Sequence, residues 1–432
     1  MKIWRFKMRF KLTKQERSWI LYDVGNSAFT LLVSTIMPIY FNYLAGNAGL
    51  SDVDYLAYWG YAASIATLVI ALIGPVCGTL ADTKGYKKPI FTVFFLIGAA
   101  GCISLGFARN WLFFLALYVV ARMGYSGSLI FYDSMLSDVT VRERMDHVSS
   151  QGFAWGYIGS CVPFILSLIL VLFADSIGIS METAMMSAFV IISVWWGGMT
   201  LPLLKNYQQK YYVEKKEHTV LESFVRLKKT FANVRKEKKI FLFLLAFFFY
   251  IDGVYTIIDL ATAYGSALGL DSTGLLLALL VTQFVAFPFA LLFGKLSVKY
   301  DTEKLIKVCI IAYFGIAVFA MFLSSHIQFW ILAILVGMFQ GGIQALSRSY
   351  FTKIIPAERS GEYFGLLDIC GKGASVMGTT IVSVISQLTG NINMGVGMIS
   401  ILFAIGFLLF RLAVREEEKY TEIDTMKVME LK

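Results

Sequence analysis

Apolar residues run in long unbroken blocks along this chain, and polar residues collect between them. Twelve blocks lie at about 18–44, 56–80, 89–108, 111–136, 153–174, 183–204, 240–263, 274–298, 305–324, 328–351, 364–388 and 393–414. Each approaches or exceeds the roughly 20 mostly apolar residues that a helix needs to cross a bilayer. The blocks are continuous rather than alternating with period two, which argues against the strands of a lipid-facing barrel. The pattern predicts an all-α membrane protein with twelve transmembrane helices, spans one to twelve.

Composition agrees. Of the 432 residues, 57% are hydrophobic and 16% charged, more apolar side chain than a soluble globule of this length can hide. Charge placement tests the count independently, because basic connections stay cytoplasmic. Lys2, Arg5, Lys7, Arg9, Lys11, Lys14 and Arg17 precede span one. Lys84, Lys87, Lys88, Arg142 and Arg144 fill the next two connections on that side, and segment 205–239 adds eleven basic residues. Lys295, Lys299, Lys304, Lys307, Arg348, Lys353 and Arg359 continue the series, and Arg411, Arg415, Lys419, Lys427 and Lys432 close it; on the other side only Arg109 is basic. Both termini are therefore expected in the cytoplasm. The net charge of +9 reads as membrane orientation, and no nucleic-acid partner is expected. The basic N-terminus leads into a block too long for a signal h-region and without a small-residue cleavage site, so no cleavable signal is expected.

The five cysteines, Cys77, Cys102, Cys161, Cys309 and Cys370, are scattered inside spans without paired spacing and read as small packing residues. His147, His218 and His326 lie in loops or at span ends. No metal site, cofactor or enzymatic nucleophile–base set is expected.

The two halves of the chain echo each other. Gly78–Lys88, GTLADTKGYKK, between spans two and three, is matched 216 residues on by Gly294–Lys304, GKLSVKYDTEK, between spans eight and nine. Glu143-Arg144 is matched 215 residues on by Glu358-Arg359. Half the chain is 216 residues, so the reading is two pseudo-symmetric six-helix halves. The expected domains are a basic N-terminus at 1–17, halves at 18–204 and 240–414, a solvated, partly helical cytoplasmic linker at 205–239, and a cytoplasmic tail at 415–432.

GTLADTKGYKK resembles the cytoplasmic signature of the major facilitator superfamily, a Gly-x-Leu-Ala-Asp-x-x-Gly loop followed by basic residues. Further stretches resemble its vacuole effluxer-like branch, whose bacterial members are called the unknown major facilitator family. These are WILYDVGNSAF at 19–29, FYDSML at 131–136, SSQGFAWGYIGS at 149–160, YIDGVYTIIDLATAYG at 250–265, TQFVAFPFALLFGKL at 282–296, GGIQALSRSYFTKIIP at 341–356 and EYFGLLDICGKGAS at 362–375. The resemblance spans nearly the whole chain and implies the major facilitator fold and secondary transport. Fungal relatives export amino acids from vacuoles. Three features depart from the pattern. Val298 stands where the second signature should carry an acid, with Asp301 three residues later. Asp133 and Asp368 stand where many relatives have Asn. Arg122 has no place in the shared pattern.

A charge at the centre of a membrane helix costs about 2.5–3.5 kcal/mol on insertion scales, so each one needs a reason. The candidates are Asp23, Arg122, Asp252, Asp259 and Lys372. Asp252 and Asp259 are two turns apart on one face of span seven, the repeat partner of span one with Asp23 and Asn26. By resemblance, spans one, four, seven and ten line a central cavity. Asp252 is then either a proton- or ammonium-binding carboxylate or a hydrogen-bonded packing residue, and Asp259 is open in the same way. Asp23 suits the inner mouth, or pairing with Arg17 or the first-turn amides. Arg122 can clamp a substrate carboxylate or pair with Asp23 or Asp252, while Asp133, about 16 Å along the axis, is out of its reach. Gln340 and Gln344 are four apart on span ten and can bind a polar solute or a neighbouring helix. Asp368 and Lys372 have the spacing of an intrahelical pair. Gly25 and Ser27 permit close helix contact. Tyr22, Tyr250 and Tyr255 flank the acidic positions and are expected to border the cavity.

For the cytoplasmic gate the candidates are Gly78, Asp82, Gly85, Lys87 and Arg348. A carboxylate in a tight glycine-flanked loop can accept from amides at a helix N-terminus. By resemblance that helix is span eleven, near Tyr363 and Phe364, and the contact holds the inside closed. The resulting expectation is a monomeric secondary transporter of the bacterial plasma membrane, proton-linked or facilitative, carrying amino acids or similar small polar metabolites. Its partners are a small solute, a coupling proton and the lipid bilayer. The alternatives are efflux of lipophilic cations or drugs, and a non-transporting receptor or scaffold.

Overall fold

The computed structural model describes residues 11–215, 219–267 and 272–430. Twelve long helices carry the expected spans. They are α1 (Lys14–Ser34, prolonged beyond Thr35 by Ile36–Asn47), α2 (Asp52–Ala81), α3 (Lys87–Leu105), α4 (Trp111–Ser134), α5 (Met145–Leu172) and α6 (Met181–Asn206) in the first half. The second half holds α7 (Lys238–Ala267), α8 (Ser272–Leu296), α9 (Thr302–Ala320), α10 (His326–Ile354), α11 (Ser360–Thr389) and α12 (Ser400–Glu430). Ten of these are long and apolar enough to cross a membrane. The other two are α9, 19 residues long with Glu303, Lys304 and Lys307 near its start, and the 30-residue α11.

Local chemistry sets the helix starts. Thr13 caps α1 in a reciprocal box with Glu16, and the side chains of Ser51, Asn110, Ser180 and Ser325 accept from first-turn amides of α2, α4, α6 and α10. Two boundaries differ from the hydropathy reading. Span one breaks at Thr35, and α12 runs on through the expected tail to Glu430. Hydropathy registers neither a local φ, ψ departure nor a polar helical extension.

Each half has its own aromatic-rich core. Trp19, Tyr22, Phe29, Tyr40, Phe91, Tyr132 and Trp196 are buried in the first, and Phe243, Tyr250, Tyr313, Tyr350, Phe403 and Phe410 in the second. Leu68, Leu72, Val194 and Leu388 point outward, as a lipid-facing surface requires. The halves meet along two seams of small residues. Ala154 of α5 packs on Ala286 and Ala290 of α8. On the other side Gly78 of α2 lies so close to α11 that a Cβ there would stand 2.2 Å from the Gly361 carbonyl oxygen. Within the first half, a Cβ on Gly25 would stand 3.1 Å from the Trp196 carbonyl, and Ser27 faces Gly156, so both allow the close contacts expected of α1.

The segment joining the halves is docked, where the sequence suggested a solvated connector. Thr83 and Val213 form a short parallel bridge, and the linker helix Thr219–Asn233 packs beside α2.

Candidate functional site

The hydrogen bonds that join the two halves cluster at the end bearing the basic loops. The deepest involve Arg348 of α10. Its Nη1 donates to Asp133 Oδ1 at 2.9 Å, its Nη2 to Asp23 Oδ2 at 3.2 Å and to the Ser149 carbonyl at 3.1 Å, and its Nε to Ser149 Oγ at 2.9 Å. The guanidinium is also stacked between Trp19, 4.6 Å away, and Phe153, 4.3 Å away. One side chain of the second half thus ties α1, α4 and α5 of the first. Gly152 makes room, since a Cβ there would come within 2.6 Å of Asp23 Oδ2. Asn26 Nδ2 donates to Asp23 Oδ1 at 3.3 Å and to the Tyr22 carbonyl at 3.1 Å, which orients the carboxylate. Asp23 is therefore held by Arg348, and not by Arg17 or the α1 amides.

A second tie lies nearer the surface. Asp82 Oδ1 accepts from the Gly361 amide at 2.7 Å and Oδ2 from the Glu362 amide at 2.9 Å, the first turn of α11. Lys87 is fully buried beside it, donating to Ser360 Oγ at 2.8 Å and lying 3.8 Å from Asp82 and 3.4 Å from Asp138. Burial pushes the Asp82 carboxyl up to about 7, against the opposing pull of Lys87 and the two amides. Gly85 turns the loop at φ +81°, a conformation glycine adopts without strain.

The third tie replaces the gate that Val298 leaves incomplete. Asp146, at the start of α5, accepts from Thr302 Oγ1 at 2.7 Å, Ser349 Oγ at 2.6 Å and Lys353 Nζ at 2.5 Å. Asp301 takes no part. It is exposed and pairs with Lys304 at 2.7 Å.

Beyond Arg348, towards the opposite end of the molecule, the contacts thin out. Thr30 lies about 10 Å above Asp23 along α1, Gln340 about 12 Å above Arg348 along α10, and Arg122 about 16 Å above Asp133 along α4. Tyr125 OH and Thr30 Oγ1 are 2.6 Å apart in this layer, and Arg122 follows on the same face of α4, half-buried. Among the described residues Arg122 has no carboxylate partner, so the predicted pairing with Asp23 or Asp252 is absent. Gln344 is half-buried and Gln340 buried. Gln340 also borders an apolar cavity of about 80 Å³, lined by Thr256, Tyr264, Leu275, Thr282 and Phe329 among others.

Asp252 sits elsewhere. It is fully buried in the seam between α7 and α11, where Oδ1 accepts from the Gly378 amide at 3.1 Å and from Thr256 Oγ1 at 3.2 Å, and Oδ2 has no hydrogen-bond partner. It does not open onto the cavity as a substrate-ammonium ligand would. Tyr22 and Tyr250 likewise turn into their own halves, bonding Ser128 at 2.6 Å and Ser347 at 2.7 Å, which leaves half-buried Tyr255 of the three tyrosines expected there. Asp259 and Lys372 lie outside the described side chains, so the second carboxylate of α7 and the Asp368–Lys372 pair have no described geometry.

Sequence reasoning missed Asp133, Asp138, Asp146 and Lys353. Each lies within a few residues of the basic end of its span, so each reads as an ordinary interfacial charge until the halves are assembled.

The chain matches the family described as vacuole effluxer Atg22 like over residues 12–140 and 136–423. It is 44% identical over 421 residues to the MFS-type transporter YxiO of Bacillus subtilis (strain 168), covering 96% of this chain and 98% of that one. Autophagy-related protein 22 of Saccharomyces cerevisiae (strain ATCC 204508 / S288c) is 23% identical over 398 residues, 79% of this chain and 74% of that one. In fold the chain is similar to the human organic anion transporter MFSD10 (TM-score 0.69, 12% identity, 93% of this chain and 100% of that one). It is also similar to the Escherichia coli fucose:proton symporter (TM-score 0.67, 16% identity, 93% and 97%). The chain is a multi-pass membrane protein of the vacuole effluxer Atg22-like family within the major facilitator superfamily, and so a secondary transporter.

Proposed function

We propose that this transporter moves amino acids or similarly small zwitterionic metabolites, linked to protons, by rocking its two halves about the Thr30–Tyr125–Arg122–Gln340 layer. The basic end faces the cytoplasm of a bacterial cell, the protein works as a monomer in the plasma membrane, and the arrangement described is the one closed on that side. Arg348, Asp82, Lys87, Gly78 and Gly85 form the closed gate. The observation that carries the reading is Arg122, a guanidinium at mid-depth with no carboxylate partner among the described residues, set just above the tied gate. Such a group in low-dielectric surroundings favours an anionic ligand atom, and a substrate carboxylate supplies one. Asp252 supplies the proton site. Its unpartnered Oδ2 is satisfied by carrying the proton, and opening of the α7–α11 seam in the other state releases it.

The apolar cavity beside Gln340 favours a second reading, efflux of lipophilic cations, which would use the cavity and the carboxylates without Arg122. Uptake of a radiolabelled amino-acid panel into proteoliposomes, with and without an imposed pH gradient, separates the two. Accumulation that follows the gradient, falls in Asp252→Asn and is lost in Arg122→Ala supports the amino-acid carrier. Uptake of none of the panel above empty liposomes removes it, and gradient-driven movement of a lipophilic cation in the same vesicles establishes the alternative.

A further inference from the structure

The segment that joins the halves makes more specific contacts than a tether needs. Its first part is fastened to the first half. Tyr207 OH donates to Asp138 Oδ2 at 2.5 Å, and the Lys210 and Tyr211 amides donate to Asp138 Oδ1 at 2.9 and 3.0 Å. Gln209 accepts from the Gly85 amide at 2.9 Å and donates to the Ala81 carbonyl at 3.2 Å. The Val213 amide donates to the Asp82 carbonyl at 2.8 Å, and the Lys84 amide to the Val213 carbonyl at 3.0 Å. These contacts surround the loop whose Asp82 holds α11.

The linker helix then crosses to the second half at the same place. Arg226 Nη2 donates to the Thr79 carbonyl of α2, while its Nε lies 3.8 Å from Glu362 Oε2 of α11. Arg359, just before α11, donates to Thr230 Oγ1 and holds Glu362 at 2.9 Å. Leu227 and Thr230 are buried on that face, whereas Lys228 and Lys229 are exposed. Glu362 is one of the two residues whose amides Asp82 binds. Linker and gate therefore converge on one helix terminus.

A contact made to both halves exists only while the halves are together at that end. If α11 leaves α2, residues 207–213 stay with the first half and Arg226 cannot reach both Thr79 and Glu362. We infer that the linker is a state-selective clasp, with Arg226 and Thr230 as positioning residues that favour the closed basic end and so set the ratio of the two transport states. A ligand or contact that binds one state alone shifts the equilibrium by its differential free energy. The inference needs only alternation between two states and does not depend on which solute or ion is carried.

Hydrogen–deuterium exchange on the full-length protein in lipid nanodiscs tests it. The readout is the Gly361 and Glu362 amides, which are protected by Asp82 only when the gate is closed. Arg226→Ala should raise exchange in the peptide covering them by about tenfold, the worth of a charge-assisted hydrogen bond. Arg226→Lys should restore part of the protection, and Thr230→Val should raise exchange by a smaller factor. Exposed Arg235→Ala should match the wild type. Unchanged exchange in both Arg226→Ala and Thr230→Val overturns the clasp. So does an increase spread over the whole chain, because that reports general destabilisation rather than gate opening.

Discussion

The two mirror-related ties at the basic end differ in which partner brings the charge. On one side a loop carboxylate, Asp82, reaches across to helix amides at the start of α11. On the other the loop position is Val298, and the carboxylate sits on the helix, where Asp146 of α5 collects Thr302, Ser349 and Lys353. The packing is nonetheless alike. Gly78 and Gly294 both bring their loops against the opposing helix, one with the Gly361 carbonyl 2.2 Å from an added Cβ and the other with Ser150 Cβ at 2.8 Å. The repeat keeps the close backbone approach and lets the electrostatics invert. A buried carboxylate needs donors, and it is indifferent to which half supplies them.

Arg348 lies between the two ties, and its removal should have the largest effect. Arg348→Ala leaves Asp23 and Asp133 buried without their cation, and breaking such a group costs about 3–5 kcal/mol. The melting temperature should fall sharply, with Arg348→Lys intermediate because an ammonium cannot reproduce the fork. Retention of the wild-type melting temperature in Arg348→Ala would show that the outer ties hold the end shut alone.

Next comes the packing. Gly78→Ala must push a backbone carbonyl away, whereas Gly294→Ala meets a side-chain carbon that can shift. Overpacking costs about 1–3 kcal/mol, so Gly78→Ala should open the basic end more than Gly294→Ala, read by labelling of a cysteine placed beneath the gate. Equal labelling would mean that the two approaches are equivalent after all.

The charges follow. Asp82 in the closed end has its pKa raised to about 7, while in an open, wetted end it returns toward the ordinary value of about 3.9. The closed form therefore binds the proton more tightly. Its proton-linked stabilisation is complete below about pH 4 and is lost as pH rises through about 7. Protection of the Gly361 amide, corrected for intrinsic exchange, should fall from pH 5 to pH 8 in the wild type and lose that dependence in Asp82→Asn. In Asp146→Asn the dependence should persist, with a uniform loss of about 1–3 kcal/mol from the weakened Lys353 contact. A pH profile abolished by Asp146→Asn would assign the titration to the wrong side. The smallest effect belongs to the exposed Asp301–Lys304 pair, and Asp301→Ala should leave both labelling and melting unchanged.

Much of the architecture was legible beforehand because lipid imposes a one-dimensional rule. Blocks of apolar residues must be helices, and their lengths gave the spans and the twofold repeat. The GTLADTKGYKK stretch likewise pointed to the Asp82–α11 contact, since a tight glycine loop beside a helix terminus has few other uses. Arg348 was placed at the gate, yet its partners were not. Asp23 was assigned to local groups, and Asp133 was considered only as a partner for Arg122. Asp252 was read from its membrane depth, which says nothing about whether a residue faces a cavity or a seam.

By itself the sequence determined what depends on neighbours along the chain: helical spans, caps at Thr13 and Asn110, the loop turn at Gly85, and basic connections on alternate sides. Only the tertiary structure decided what depends on neighbours across it. It joined Arg348 to Asp23, 325 residues away, moved the second gate's acid to Asp146, turned Asp252 into the α7–α11 seam, and laid the linker over the gate. The reason is physical. Membrane insertion acts on each segment's own hydropathy, whereas ion pairs and close helix contacts act over a few ångströms between segments whose approach the chain order does not encode.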